Sequence, residues 1–308
     1  MKTNYRLLII KGLVFLALFV GIDFLIGKVY RYLEIKALEH SPYGMVTEYT
    51  MLKVDADVVI LGASEAQHSY IPRILEDSLG MSVYNCAKDG CGFYYQDAMI
   101  NGILDRYKPK IIIWSIFPNE LCTRKNDEGI SELKPFYKEN KYFRQILRTH
   151  SNFESIKLLS NSYIYNSKLL WYMFMLFLPD YDYEYGGYAP LLGCQNNLKI
   201  TEGSFVDSYD ETISLVFQNT IRRCLENEVQ IVFVFTPRFE KGSYDKLVTY
   251  KQLKSVTKKY ELPIIEDLYH SDELMKPQFF KDNAHLNHEG AEAYMKLFIP
   301  KLKEKISK

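Results

Sequence analysis

The sequence predicts a three-layer α/β/α sandwich on a parallel sheet, preceded by one apolar helix. Three observations predict it. Short, continuous apolar runs at 57–61, 110–117 and 230–235 suit strands buried on both faces. Stretches of helical length separate them, so successive strands connect by right-handed crossovers with helices on both faces of the sheet. The first run ends in glycine and the last in Thr236-Pro237, which stop a strand at a loop.

Taken in order, residues 57–61 form the first strand, stopped by Gly62. A helix runs from Pro72 to Gly80, with proline in its first turn and glycine at its end. Residues 82–84 form a second strand and 94–107 a helix ended by Lys108-Pro109. The run 110–117 (KIIIWSIF) is β-branched and aromatic and forms the third strand. An amphipathic helix at 210–227 leads to a strand at 230–235 (QIVFVF); a helix at 243–260, a short strand at 263–266 and a closing helix at 289–306 complete the domain.

Residues 120–209 break this rhythm as a tyrosine-rich insertion, expected to be mainly helical or irregular. Within it, 169–179 (LLWYMFMLFLP) precedes 180–187 (DYDYEYGG). Eleven apolar residues are too few to cross a bilayer. They predict a core helix or, more sharply, contact with a membrane surface or a lipid-linked substrate.

The N-terminus differs from the rest. Residues 7–27 are apolar except for Lys11 and Asp23, with Lys2 and Arg6 ahead of them. About 20 residues cross the hydrocarbon, and this stretch reaches that length with its charges near the interfaces. It has no convincing small-x-small cleavage site, which favours an uncleaved signal anchor over a removed signal peptide. The organisation expected is an anchor and flank at 1–36 and a catalytic domain at 37–308. Basic residues flank the stretch on both sides, so charge does not orient it; the short N-terminal tail favours an extracytoplasmic domain.

Lysine plus arginine and aspartate plus glutamate each total 38 of 308 residues, so the chain lacks the basic excess of a nucleic-acid binder. The 25 tyrosines suit an ordinary interface as well as a sugar-contacting surface. Five cysteines without a CxxC pair imply neither a disulfide framework nor a zinc site. Cys86 and Cys91 flank a turn and are read either as a local bridge or as free thiols. No third ligand with suitable spacing joins the Asp/His residues near the C-terminus, so no metal and no cofactor is expected.

The chemistry-bearing residues fall beyond the carboxyl ends of the predicted strands, where ligands bind in open α/β sheets. Ser64 follows the first strand, Gly90 the second and Asn119 the third; Asp282 and His285 lie in the last loop before the closing helix. A serine hydroxyl needs a base within hydrogen-bond reach, and His285 with Asp282 three residues before it supplies base and orienting acid. Each residue also has a plainer role: Ser64 and Asn119 as helix or turn caps, Asp282 as a turn former, Gly90 as a turn glycine, His285 as a loop histidine. His288 competes as base but lacks the Asp-x-x-His spacing. His68, four residues after Ser64, is expected at the solvated surface or at the pocket edge. Arg238 is expected either to reach a negatively charged substrate group or to be a plain surface arginine.

These positions resemble the sequence blocks of the SGNH (GDSL-like) hydrolases. Gly62-Ala63-Ser64 is similar to the first block, with Ala63 where the family commonly has aspartate. Asn85-Cys86-Ala87-Lys88-Asp89-Gly90 resembles the second, and Pro118-Asn119-Glu120 stands where the family has Gly-x-Asn-Asp. Asp282-Asn283-Ala284-His285 resembles the last. The resemblance covers about 55–119 and 229–300. It implies a flavodoxin-like fold, a Ser64–His285–Asp282 triad, and an oxyanion hole formed by the N–H groups of Ser64 and Gly90 and the side-chain amide of Asn119. The apolar N-terminus and the Gly-x-Ser-Glu start resemble extracytoplasmic members acting on bacterial envelope glycans. That implies an esterase for O-acyl, most plausibly O-acetyl, groups of cell-surface polysaccharide. The alternatives are an acyltransferase using the same triad with a partner membrane acyltransferase, and a non-catalytic glycan-binding or assembly protein.

Overall fold

A computed structural model describes residues 5–42, 44–122, 128–149, 153–166, 168–177, 186–203 and 205–306. The chain forms two compact units, Val46–Ser131 with Asp182–Lys308, and Met1–Met45 with Glu132–Tyr181. The region 120–209 is thus divided between them.

The larger unit holds a five-stranded sheet. Its strands are β1 (Val58–Leu61), β2 (Val83–Asn85), β3 (Ile111–Ser115), β4 (Gln230–Val234) and β5 (Ile264–Ile265). All pairings are parallel, in the order β2-β1-β3-β4-β5. This is the flavodoxin-like order, in which the connection reverses direction between β1 and β3 and opens a crevice at their carboxyl ends.

Alternation along the strands builds one core on each face. Ile111, Ile113, Val232 and Val234 pack with Tyr294, Met295 and Phe298 of the closing helix (His288–Ile306). From the other face, Trp114 and Phe233 meet Phe217 of the helix Glu211–Glu226, and Trp114 stacks on Phe93 at the start of Phe93–Arg106. The three-layer expectation therefore holds, as do the proline start and left-handed Gly80 end of the helix Pro72–Leu79.

Two details differ from expectation. The helix expected from 243 starts at Val248, where the Asp207 carboxylate accepts from the N–H groups of Val248 and Thr249, both at 2.9 Å. That cap comes from 41 residues away and so leaves no local signal. Two dipeptide strands, Thr201–Glu202 and Glu240–Lys241, pair in parallel outside the main sheet. Cys86 and Cys91 are buried, and no disulfide joins them.

The smaller unit is helical. Its N-terminal helix, Tyr5–His40, is long and apolar enough to cross a membrane, and its most apolar window is unburied. The helices Lys141–Thr149, Glu154–Lys157, Asn161–Tyr165 and Leu169–Phe177 follow within the insertion. The run 169–179 is helical as far as Phe177; Leu178 to Tyr185, including most of the acidic tyrosine-rich run, lie outside the described residues.

Candidate active site

The nucleophile candidate follows β1 through a turn that only glycine fits. Gly62 has φ +158°, and a Cβ there would lie 2.5 Å from Ala66 Cβ and 2.9 Å from Ser115 Cβ on β3. Ser64 then opens a one-turn helix, Ser64–Gln67, whose N-cap is Ala63. The expected alternative of a capping serine is therefore not the arrangement found. Instead the hydroxyl lies 2.8 Å from His285 Nε2. Asn85, at the end of β2, fixes this turn: its amide donates to the carbonyls of Ala66 (3.0 Å) and Tyr70 (3.1 Å) and accepts from Ala87 N–H.

The three-residue spacing of Asp282 and His285 has a local cause. One carboxylate oxygen of Asp282 accepts from the backbone N–H of Ala284 (2.8 Å) and of His285 (3.0 Å), which folds the loop into an Asx-type turn. The turn returns the His285 ring to the same carboxylate, with Nδ1 at 2.9 and 3.0 Å from its two oxygens. Burial would raise the Asp282 pKa, but the bonds from His285 and from these N–H groups hold it below the ordinary carboxylate range. His285 Nδ1–H is thereby committed to Asp282, which leaves Nε2 to accept from Ser64.

Ser64, Gly90, Asn119 and Arg238 line one cleft of about 350 Å³. Gly90 adopts φ +66°, the left-handed conformation that favours glycine. Among the described residues, no hydrogen bond occupies the N–H of Ser64 or of Gly90. The Asn119 amide donates one hydrogen to Val206 O at 3.1 Å, which orients the group and leaves its second hydrogen. Arg238 lies over the Phe117 ring at 5.5 Å with its Nε 3.2 Å from Glu240, so it is a paired cleft wall rather than a plain surface arginine. Glu240 in turn accepts from Tyr269 OH at 2.8 Å.

His68 departs from its expected place. It is buried and does not line the cleft. Its Nε2 lies 3.0 Å from Asp89 and its Nδ1 2.6 Å from the Ala189 carbonyl, and its ring packs edge-on against His285. Burial would lower the His68 pKa, but acceptors at both nitrogens raise it above the ordinary value. Acceptors facing both ring nitrogens favour the imidazolium form. His288 is held elsewhere, with Nδ1 3.0 Å from Tyr188 OH.

Two acids of the cleft escaped sequence reasoning as site residues. Glu65 and Glu120 are buried beside Ser64 and Asn119. Burial raises the Glu65 pKa and pushes that of Glu120 up to about 7, although Phe117 N–H donates to Glu120 at 2.9 Å. The only signal for them was their position, each directly following a candidate. Among the described residues, no three His, Cys, Asp or Glu side chains converge as a metal site requires.

No family model matches the chain. No curated protein matches it either. Among solved structures, the chain is similar to a candidate acylhydrolase from Bacteroides fragilis NCTC 9343 (12% identity, TM-score 0.40, covering 80% of this chain and 86% of that one). It is similar to a family two carbohydrate esterase from Clostridium thermocellum, in complex with cellohexaose (9%, 0.41, 81% and 64%). It is also similar to a lipase/acylhydrolase from Enterococcus faecalis (11%, 0.37, 80% and 95%). At such identities the likeness concerns fold alone, and the chemistry rests on the site's own geometry.

Proposed function

We propose that the chain is an SGNH-type serine enzyme that cleaves acyl esters through an acyl-enzyme on Ser64. One observation carries this reading: an unbroken hydrogen-bonded relay from Asp282 through His285 to Ser64, opening into the cleft at the end of the sheet. In that relay His285 Nε2 takes the Ser64 proton as Oγ attacks the ester carbonyl, and Asp282 stabilises the resulting imidazolium. The oxyanion is received by the N–H groups of Ser64 and Gly90 and by the remaining Asn119 hydrogen. Each such donor is worth about 3–4 kcal/mol in the transition state. His285 then returns the proton to the departing alkoxide, and the ester formed on Ser64 awaits water or an acceptor hydroxyl.

The substrate class we favour is an O-acylated, chiefly O-acetylated, polysaccharide of a bacterial cell envelope. The cleft supports it by setting the part-exposed rings of Phe117 and Phe205 beside the polar side chains of Asn119 and Arg238. The apolar N-terminal helix supports a membrane anchor; on our reading the catalytic unit lies outside the cytoplasm. Transfer to a second glycan hydroxyl uses the same triad and differs only in the acceptor.

The test is intact mass of the full chain after exposure to a serine-directed phosphonate. A single adduct lost in both Ser64→Ala and His285→Ala is expected. An adduct that persists in Ser64→Ala sinks the assignment. With labelled acetyl-glycan as donor, label released to water identifies an esterase, and label passed to glycan a transferase.

A further inference from the structure

The N-terminal helix carries an aspartate where a membrane-crossing helix would leave the hydrocarbon, and its carboxylate is fully used. Asp23 accepts from Ser160 Oγ (2.7 Å), Asn161 N–H (2.8 Å), Asn161 Nδ2 (3.1 Å) and Ser162 N–H (2.9 Å). It thereby caps the start of the helix Asn161–Tyr165 from another element. One turn later the two backbones meet so closely that a Cβ on Gly27 would lie 2.7 Å from Asn161 Cβ. The insertion is therefore clamped to the long helix at a defined height.

Beyond the clamp the two segments run in the same direction. Tyr165 stacks on Tyr30 at 5.3 Å, Tyr172 OH lies 3.5 Å from Glu34, and Met175 is the neighbour of Gly44. At 1.5 Å of rise per residue, Glu34 lies about 16 Å beyond Asp23 along the axis. The apolar helix Leu169–Phe177 thus lies well past the clamp, whereas the turn just before Ser160 lies level with it. That turn exposes Ile156 (67%) and Leu159 (72%). Lys28, over the Phe24 ring on the long helix, places an ammonium group near this level, while Lys157 of the same turn is ion-paired with Glu154 at 3.3 Å.

Accordingly we infer that the turn carrying Ile156 and Leu159 is seated in the interfacial layer of the bilayer, while Leu169–Phe177 stands clear of it. This rests on the reading that the N-terminal helix spans the membrane. The occupant is lipid because the turn continues, at the same level, the unburied apolar surface of that helix.

The test adds one tryptophan at a time to the full chain in phospholipid nanodiscs, with bromine on the acyl chains either near the ester or near the terminal methyl. Ile156→Trp and Leu159→Trp are made on a Trp171→Phe background, with Leu16→Trp as reference; Trp114 is buried in the other unit. The positions at 156 and 159 are expected to lose emission with the shallow bromines, Leu16→Trp with the deep ones, and native Trp171 with neither. Loss at 16 without loss at 156 and 159 overturns the inference and leaves the span intact. No loss at 16 overturns the span itself. Loss at Trp171 shows that the second helix, and not the turn alone, meets the lipid, and overturns the height assignment.

Discussion

The ring of His68 meets that of His285 edge to face, with centroids 5.5 Å apart and planes at 89°. His68 is itself held at both nitrogens, so it forms a fixed wall against which the base of the relay rests. Asp282 sets the hydrogen-bonded edge of His285, and His68 restricts its swing.

His68 is accordingly a positioning residue. His68→Gln should slow phosphonate labelling of Ser64 about tenfold, the effect of roughly 1.4 kcal/mol in the barrier. Turnover of an activated ester should fall with KM little changed. Nitrogen NMR of the wild type should show both His68 nitrogens protonated at neutral pH; a neutral tautomer there would contradict the two-acceptor environment.

Asp282→Asn should leave the fold intact and reduce turnover by roughly 10³–10⁴, because an amide oriented by the same loop does not hold the productive tautomer. In the wild type, the lowered Asp282 pKa keeps its carboxylate ionised to lower pH than an ordinary aspartate. The native-state advantage of that carboxylate is present above the unfolded value and is lost only as pH drops through the lower folded one. A pH–rate profile with an Asp282-dependent limb above pH 5 would contradict this.

Glu120 titrates in the opposite sense. Its folded pKa of about 7 exceeds the ordinary value, so between the two the native state binds more protons than the unfolded one. Stability should then fall as pH rises from about 5 to 8, by a few kcal/mol at most. Glu120→Gln should flatten that slope, read as the difference in urea midpoint between the two pH values. An unchanged slope would mean that Glu120 is charged throughout.

The two site glycines should respond differently. A methyl at Gly62 would strike Ala66 and β3, so Gly62→Ala should abolish the native turn. At Gly90 a Cβ meets nothing within 4 Å, and only the left-handed backbone is at issue. Gly90→Ala should cost about 1–2 kcal/mol of stability and keep most activity, since its N–H remains. Thermal melts with ester turnover test both; a folded Gly62→Ala protein would show that the turn can relax.

Much of this was legible because buried parallel strands write their own signature. KIIIWSIF reads as a strand since both of its faces need apolar cover, and Trp114 and Ile113 indeed point into opposite cores. Asp282 and His285 were legible because one short turn joins them. What depended on distant partners was not: Asp207 starting the helix at Val248, Asp89 and Ala189 enclosing His68, Asp23 capping the segment after Leu159. In each case a polar side chain finds its complement far along the chain, and local pattern is silent about such meetings.

The relay joins residues 221 positions apart, and this gives the chain a built-in order of assembly. A ribosome delivers Ser64 long before the loop that activates it. Until that loop docks, the nascent polypeptide carries an ordinary alcohol, unable to attack esters. On the proposed mechanism, reactivity is therefore switched on by completion of the fold.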